Sequence, residues 1–235
     1  YYIIIAILLL DYLLDFVLEL LNARRFDAPL PPEVAGIYDT EAYRKSQRYK
    51  KTNYRFGRIT ATFSLALTLG FLIFGGFEWV DGMARGISPD PLVQALVFFG
   101  LIFIGSDLLS LPLSYYHTFV IEERFGFNKS SPGLFFLDKI KGWLLAAVLG
   151  GGLLAGILWF YRLAGPSFWL YAWGLVAVFT LLMNLFYSRL IVPLFNRQTP
   201  LEEGSLKQKI QAYASGVDFG LKQIFVIDGS RRSTK

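Results

Sequence analysis

The run LVQALVFFGLIFIGSDLLSL, residues 92–111, decides the fold: it holds one acid, no base and otherwise almost nothing polar. About 20 such residues cross the hydrocarbon core of a bilayer as a helix, whereas a buried core helix is usually shorter. Four comparable runs flank it, at residues 3–21, 59–77, 143–161 and 168–191. None alternates as a barrel strand would, and in lipid each backbone group must pair within its own segment, so all five read as helices. Composition agrees: 54% of the 235 residues are hydrophobic and only 17% charged, and the mean hydropathy is +0.45. An ordinary soluble domain carries about 25% charged residues.

The 23 basic residues place the ends. Nine lie between the first two runs, one in the next connection, four between 112 and 141, one at Arg162 and eight from Arg189 onward. Basic and poor connections alternate, so the positive-inside rule predicts a cytoplasmic tail and an amino terminus outside. The first run is no signal peptide, because it lacks a basic start and carries Asp11, Asp15 and Glu19. The net charge of +5 is the cytoplasmic side of a membrane protein, with no nucleic acid implied. Residues 41–58 (EAYRKSQRYKKTNYRFGR) predict a helix capped by Asp39 after Pro31 and Pro32. It reads as a basic helix on anionic headgroups or as a solvated juxtamembrane helix.

Zero Cys excludes disulfides, thiolate zinc sites and cysteine nucleophiles, and one His, His117, leaves no His-rich metal site. His117, beside Tyr115 and Tyr116, reads as a hydrogen-bonded or exposed interface residue. Asp11, Asp15 and Glu19 fall at i, i+4 and i+8, on one stripe of the first helix, and Asp107 is a fourth intramembrane acid. A central acid costs about 2.5–3.5 kcal/mol to insert, so the stripe is expected to face water or protein. Asp11, Asp15 and Asp107 are therefore candidates for lining an aqueous chamber; the alternatives are hydrogen bonding within the bundle, with Glu19 reaching the interface, or a cation path in a proton- or cation-coupled transporter. No internal repeat supports the transporter. Gly152 and Gly156 form a GxxxG for close helix packing.

The stretch FVIEERFGFNKSSPG from Phe119 predicts a cytoplasmic loop anchored by Glu122, Glu123, Arg124 and Asn128, with Arg124 neutralising a glutamate. Its contact with an entrance at Pro193, Phe195 and Asn196 is expected. Beyond Pro193 the composition changes. A helix at 206–217 and a short strand at 223–228, before a Gly229-Ser230 turn, predict the start of a soluble domain, residues 193–235, after a membrane domain of residues 1–192. The chain starts with Tyr1 rather than Met, and the strand lies at its end, so it reads as a fragment.

Several blocks together, PPE at Pro31, KSQRY at Lys45, TFVIEERFGFN at Thr118, VPLFNRQTPLEEGSLKQKI at Val192 and DFGLKQIFVIDGSRRS at Asp218, resemble the CAAX prenyl protease type 1 family of integral-membrane zinc metalloendopeptidases. The resemblance implies an all-α polytopic membrane protein, here with five transmembrane helices, followed by the start of an α+β soluble protease domain on the cytoplasmic side. That membrane would be the plasma membrane in a bacterium and the endoplasmic reticulum in a eukaryote. It implies further a chamber within the bilayer, zinc on a His-Glu-x-x-His helix, and prenylated or membrane-associated protein or peptide substrates cut near the carboxyl terminus. No residue here matches the zinc motif, so no catalytic or metal residue is carried over, and the fragment alone is expected to bind no zinc and to be inactive.

Overall fold

The computed structural model describes residues 1–26, 28–30, 36, 39–221 and 223–227. The chain forms two compact units, Tyr1–Asn128 and Lys129–Lys235, a division that falls in the connection after the ERFGFN block. Pro31 and Pro32, Asp228 and the Gly229-Ser230 turn lie outside the described residues.

In the first unit, α1 (Tyr2–Ala23) and α2 (Thr40–Ile73) run antiparallel. Tyr1 Oη donates to the Leu72 carbonyl at 3.3 Å, the Tyr12 and Thr62 hydroxyls meet at 2.7 Å, and the Arg58 guanidinium lies 4.0 Å above the Phe16 ring. Asp39 caps α2 by accepting from the Ala42 amide at 2.8 Å, as expected for a helix-starting Asp. The basic segment and the second span are one unbroken helix of 34 residues. At about 1.5 Å per residue that rod is ~50 Å long, so the basic half continues the axis of the apolar half.

The second span ends at Ile73, earlier than the expected 77, because Gly75 turns left-handed at φ +71° and begins a separate helix, α3 (Gly76–Ile87). A side chain at Gly76 would come within 2.4 Å of the Phe71 ring, so the turn requires glycine there. α4 (Pro91–Tyr116) starts on Asp90, whose carboxylate accepts from the Leu92 and Val93 amides, with Pro91 in the first turn.

The expected loop from Phe119 is helical instead. α4 passes through Pro112, widens into a π-helical turn at His117–Glu122, and closes as α5 (Glu123–Phe125) before Gly126 at φ +80° stops it. A π turn inserts a residue and rotates the side chains beyond it about the helix axis. Here it carries Ile121, Glu122 and Phe125 into the interior, where they are buried.

The second unit begins with α6 (Pro132–Leu145), a π turn at Ala146–Gly150 and α7 (Gly151–Ala164), so the helix starts well before the expected residue 143. A short 3₁₀ turn at Gly165–Ser167 leads into α8 (Phe168–Leu190). The turn residue Gly165 has φ +52°. α7 and α8 pack antiparallel: a side chain on Gly156 would meet Leu175 at 2.7 Å, and Phe160 stacks on Tyr171 at 5.4 Å. Gly156 thus fulfils the close-packing role expected of the GxxxG, whereas Gly152 faces open space. Then come α9 (Val192–Phe195), β1 (Gln198–Pro200), α10 (Ser205–Gly216) and β2 (Phe225–Ile227). β1 and β2 pair antiparallel, Gln198 opposite Ile227 and Pro200 opposite Phe225.

Among the described residues, three helical stretches, Thr40–Ile73, Pro91–Phe125 and Pro132–Phe195, are long and apolar enough to cross a membrane. The last contains two of the expected spans, folded back on themselves. α1 falls outside this set because every span-length window of it holds Asp11, Asp15 and Glu19. Apolar side chains point outward along most of the helices, which suits a lipid solvent.

Candidate functional site

Among the described residues one charged side chain is buried, that of Glu122, only 2% exposed. Its Oε1 accepts from the Tyr49 hydroxyl at 2.6 Å and lies 3.6 Å from His117 Nε2; its Oε2 has no hydrogen-bond partner. α2 supplies one wall. Tyr49, Asn53 and Phe56 fall at helical spacing on one face of α2, and that face meets the π turn.

Asn53 fixes the imidazole. Its Nδ2 donates to the Tyr49 carbonyl at 3.1 Å, which leaves Oδ1 facing His117 Nε2 at 2.8 Å, so Nε2 carries the proton of that bond. Phe56 covers the other side of the ring, with centroids 5.5 Å apart. Tyr49 packs edge-on against Phe125 and Phe127 at 5.1 and 5.0 Å. Burial, and then the bond to the Glu122 carboxylate, push the Tyr49 phenol above its ordinary range, so it remains a donor across neutral pH.

Of the expected loop anchors, Glu122 and Glu123 are engaged, but by other partners. Asn128 Nδ2 donates to Glu123 Oε2 at 2.9 Å, and the Phe127 and Asn128 amides return to the Glu122 carbonyl. Arg124 pairs with neither glutamate among the described residues, because the π turn points Glu122 inward. Pro193 and Phe195 lie in α9, which the Asn196 amide closes by donating to the Val192 carbonyl at 2.8 Å. Lys141 Nζ donates to the Leu194 carbonyl at 2.8 Å, and Gln198 Nε2 to the Ser188 carbonyl at 3.2 Å, so two side chains tie this junction to the preceding helices.

The acids do not converge. Asp11, Asp15 and Glu19 are exposed along α1, while Asp107 is half-buried on α4. α2 presents Arg58 and Thr62 to α1, and its opposite face, with Asn53 and Phe56, to α4 and the π turn. Five hydroxyls, on Thr60, Ser64, Ser110, Ser114 and Thr118, line with His117 a cavity of about 290 Å³ in the α2–α4 seam. One basic residue packs on α1: the Arg58 guanidinium sits over the Phe16 ring.

Sequence reasoning missed Tyr49 and Asn53. Their shared face with Phe56 and Thr60 was the available signal, masked by the basic residues between them. Among the described residues no group of three His, Cys, Asp or Glu side chains could hold a metal ion, so the residues present do not fit a zinc centre.

Residues 19–197 match the family model of the CAAX prenyl protease amino-terminal region, described as five membrane helices. The chain belongs to the CAAX prenyl protease family. It is 33% identical over 239 residues to the CAAX prenyl protease 1 homolog of Arabidopsis thaliana, covering 98% of this chain and 56% of that protein. Against the human CAAX prenyl protease 1 homolog the identity is 34%, over 87% of this chain and 45% of the relative. The crystal structure of S. mikatae Ste24p superposes with a TM-score of 0.94 at 35% identity, over 99% of this chain and 56% of that one. The chain spans about half the length of these relatives.

Proposed function

We propose that this chain is the membrane-embedded amino-terminal part of a zinc metalloendopeptidase that cleaves prenylated or membrane-associated proteins near their carboxyl terminus. The observation that carries this is the likeness along 99% of the chain to the Ste24p structure, which includes the strand and helix after Pro193. Zinc and its ligands would come from outside these 235 residues, where it would polarise the scissile carbonyl and activate water.

In this reading the chain supplies walls. The five spans are residues 3–21, 59–73, 92–111, 143–161 and 168–191 with the helical extensions described above, and residues 193–235 open the cytoplasmic protease domain. Asp11, Asp15 and Asp107 face water in the assembled protein. The amino terminus is outside. The natural absence of Cys makes single-cysteine labelling direct: a Cys at Ser46 reacts from the cytoplasmic side, and labelling only from outside would invert the topology.

The function is tested by replacing the matching part of Saccharomyces cerevisiae CAAX prenyl protease 1, a 36% identical relative, with this chain. The chimera, purified and reconstituted, cleaves a farnesylated peptide, loses activity to a chelator and regains it with zinc. A folded, zinc-loaded chimera that leaves the peptide intact rejects the proposal.

A further inference from the structure

We infer that the α7–α8 hairpin carries an aromatic belt at each end and that the two belts seat it in a thin bilayer, one with a hydrocarbon core of about 25 Å. The inference rests on α7 and α8 as membrane spans, and both lie within the second unit. Trp159 and Tyr161 on α7 and Trp169, Tyr171 and Trp173 on α8 flank the 3₁₀ turn at Gly165–Ser167, and all five are more than half exposed. The approach of Gly156 to Leu175 and the stack of Phe160 on Tyr171 set the register of the two helices. In that register Trp159 lies level with Trp173 and Tyr161 with Tyr171, so the five rings occupy one band about 6 Å deep.

The rings encircle the hairpin rather than forming a patch. Trp159 and Tyr161, two residues apart, project from opposite sides of α7, and Tyr171 projects opposite Trp169 and Trp173 on α8. A docked protein helix covers one side of a hairpin, whereas a bilayer interface surrounds it. Trp and Tyr collect at that interface because each joins an apolar ring to one polar N–H or O–H.

The other end of the hairpin repeats the pattern. Trp143, near the end of α6, falls close to the level of Tyr187 on α8, with Lys141 and Arg189 just beyond them. Between the two levels, residues 144–158 and 174–186 hold no Trp, no Tyr and no charge. On α8 the rise to Tyr187 is ~24 Å from Tyr171 and ~27 Å from Trp169, at about 1.5 Å per residue. Tilt only shortens that spacing along the bilayer normal. An average hydrocarbon core is about 30 Å thick and a sterol-rich one a few Å more, so a thick bilayer buries one belt, whereas a core of about 25 Å leaves both at the headgroups.

The test is reconstitution of the whole chain in phosphatidylcholines of different acyl length. In a Trp79→Phe background the four remaining Trp are those of the two belts. Their quenching by brominated dioleoylphosphatidylcholine, in competition with each unlabelled lipid, reads relative lipid affinity. The chain binds dioleoylphosphatidylcholine about threefold more strongly than the longer-chain dierucoylphosphatidylcholine. Trp169→Leu/Trp173→Leu flattens that preference, because Leu has no polar group to hold at the interface, and Trp169→Tyr/Trp173→Tyr retains it. Equal or stronger binding of the dierucoyl lipid, or an undiminished preference in the double Leu variant, would overturn the belts while the quenching itself leaves α7 and α8 as spans. Absence of quenching by the brominated lipid would overturn the spans and the inference together.

Discussion

The Glu122 cluster and the α7–α8 hairpin solve the same packing problem with opposite chemistry. In the first, α2 and the π turn are joined through Tyr49–Glu122 and Asn53–His117, hydrogen bonds between residues 73 and 64 positions apart. In the second, Gly156 lets α7 approach Leu175 and the rings of Phe160 and Tyr171 stack. Lipid tails are as apolar as Leu, so α7 and α8, within their spans, associate through close packing at a small residue, whereas the Glu122 cluster, outside residues 59–73 and 92–111, joins its helices through polar bonds. One chain uses both. The polar solution carries a risk the other avoids: a buried carboxylate with one bare oxygen loses heavily if its remaining donor is removed.

That difference sets the largest expected effect. Tyr49→Phe removes the 2.6 Å bond and destabilises the first unit by about 2–3 kcal/mol, measured as a shift in thermal unfolding in detergent. Gly156→Leu overpacks the hairpin and costs about 1–3 kcal/mol, while Gly152→Leu, which meets open space, costs little. A similar loss at both glycines would dissolve the contrast between a contact glycine and an idle one. Tyr12→Phe, which removes only a neutral bond to Thr62, costs about 0.5–1.5 kcal/mol.

The sequence carried the helices better than their joints. Runs such as 92–111 and 168–191 matched α4 and α8 closely because a continuous apolar stretch has one economical structure in lipid. The cap at Asp39 and the helix from Ser205 were equally legible, since capping and helical spacing are local signals. FVIEERF read as a loop because two adjacent acids and an Arg look solvated; only the π turn, a tertiary adjustment with no local signature, reveals that Glu122 points inward. The strand at 225–227 was legible from its β-branched and aromatic residues, but its partner at 198–200, with Pro200, was not.

The smallest effect is at high pH and sharpens the same comparison. The Tyr49 phenol is held above its ordinary value of 10.0, so its contribution is complete below pH 10 and is lost as pH rises through the elevated folded-state value. Wild type therefore loses stability above pH 10 more steeply than Tyr49→Phe, and the α7–α8 hairpin variants follow the wild-type slope.

The central structural claim is that Tyr49 and Glu122 act as one clamp between α2 and the π turn, and a double-mutant cycle of Tyr49→Phe and Glu122→Gln, read by unfolding of the purified chain, tests it most directly. The clamp predicts a coupling of about 1–3 kcal/mol, with the double variant less damaged than the two single losses added together. Additive losses, with coupling below about 0.3 kcal/mol, would contradict it.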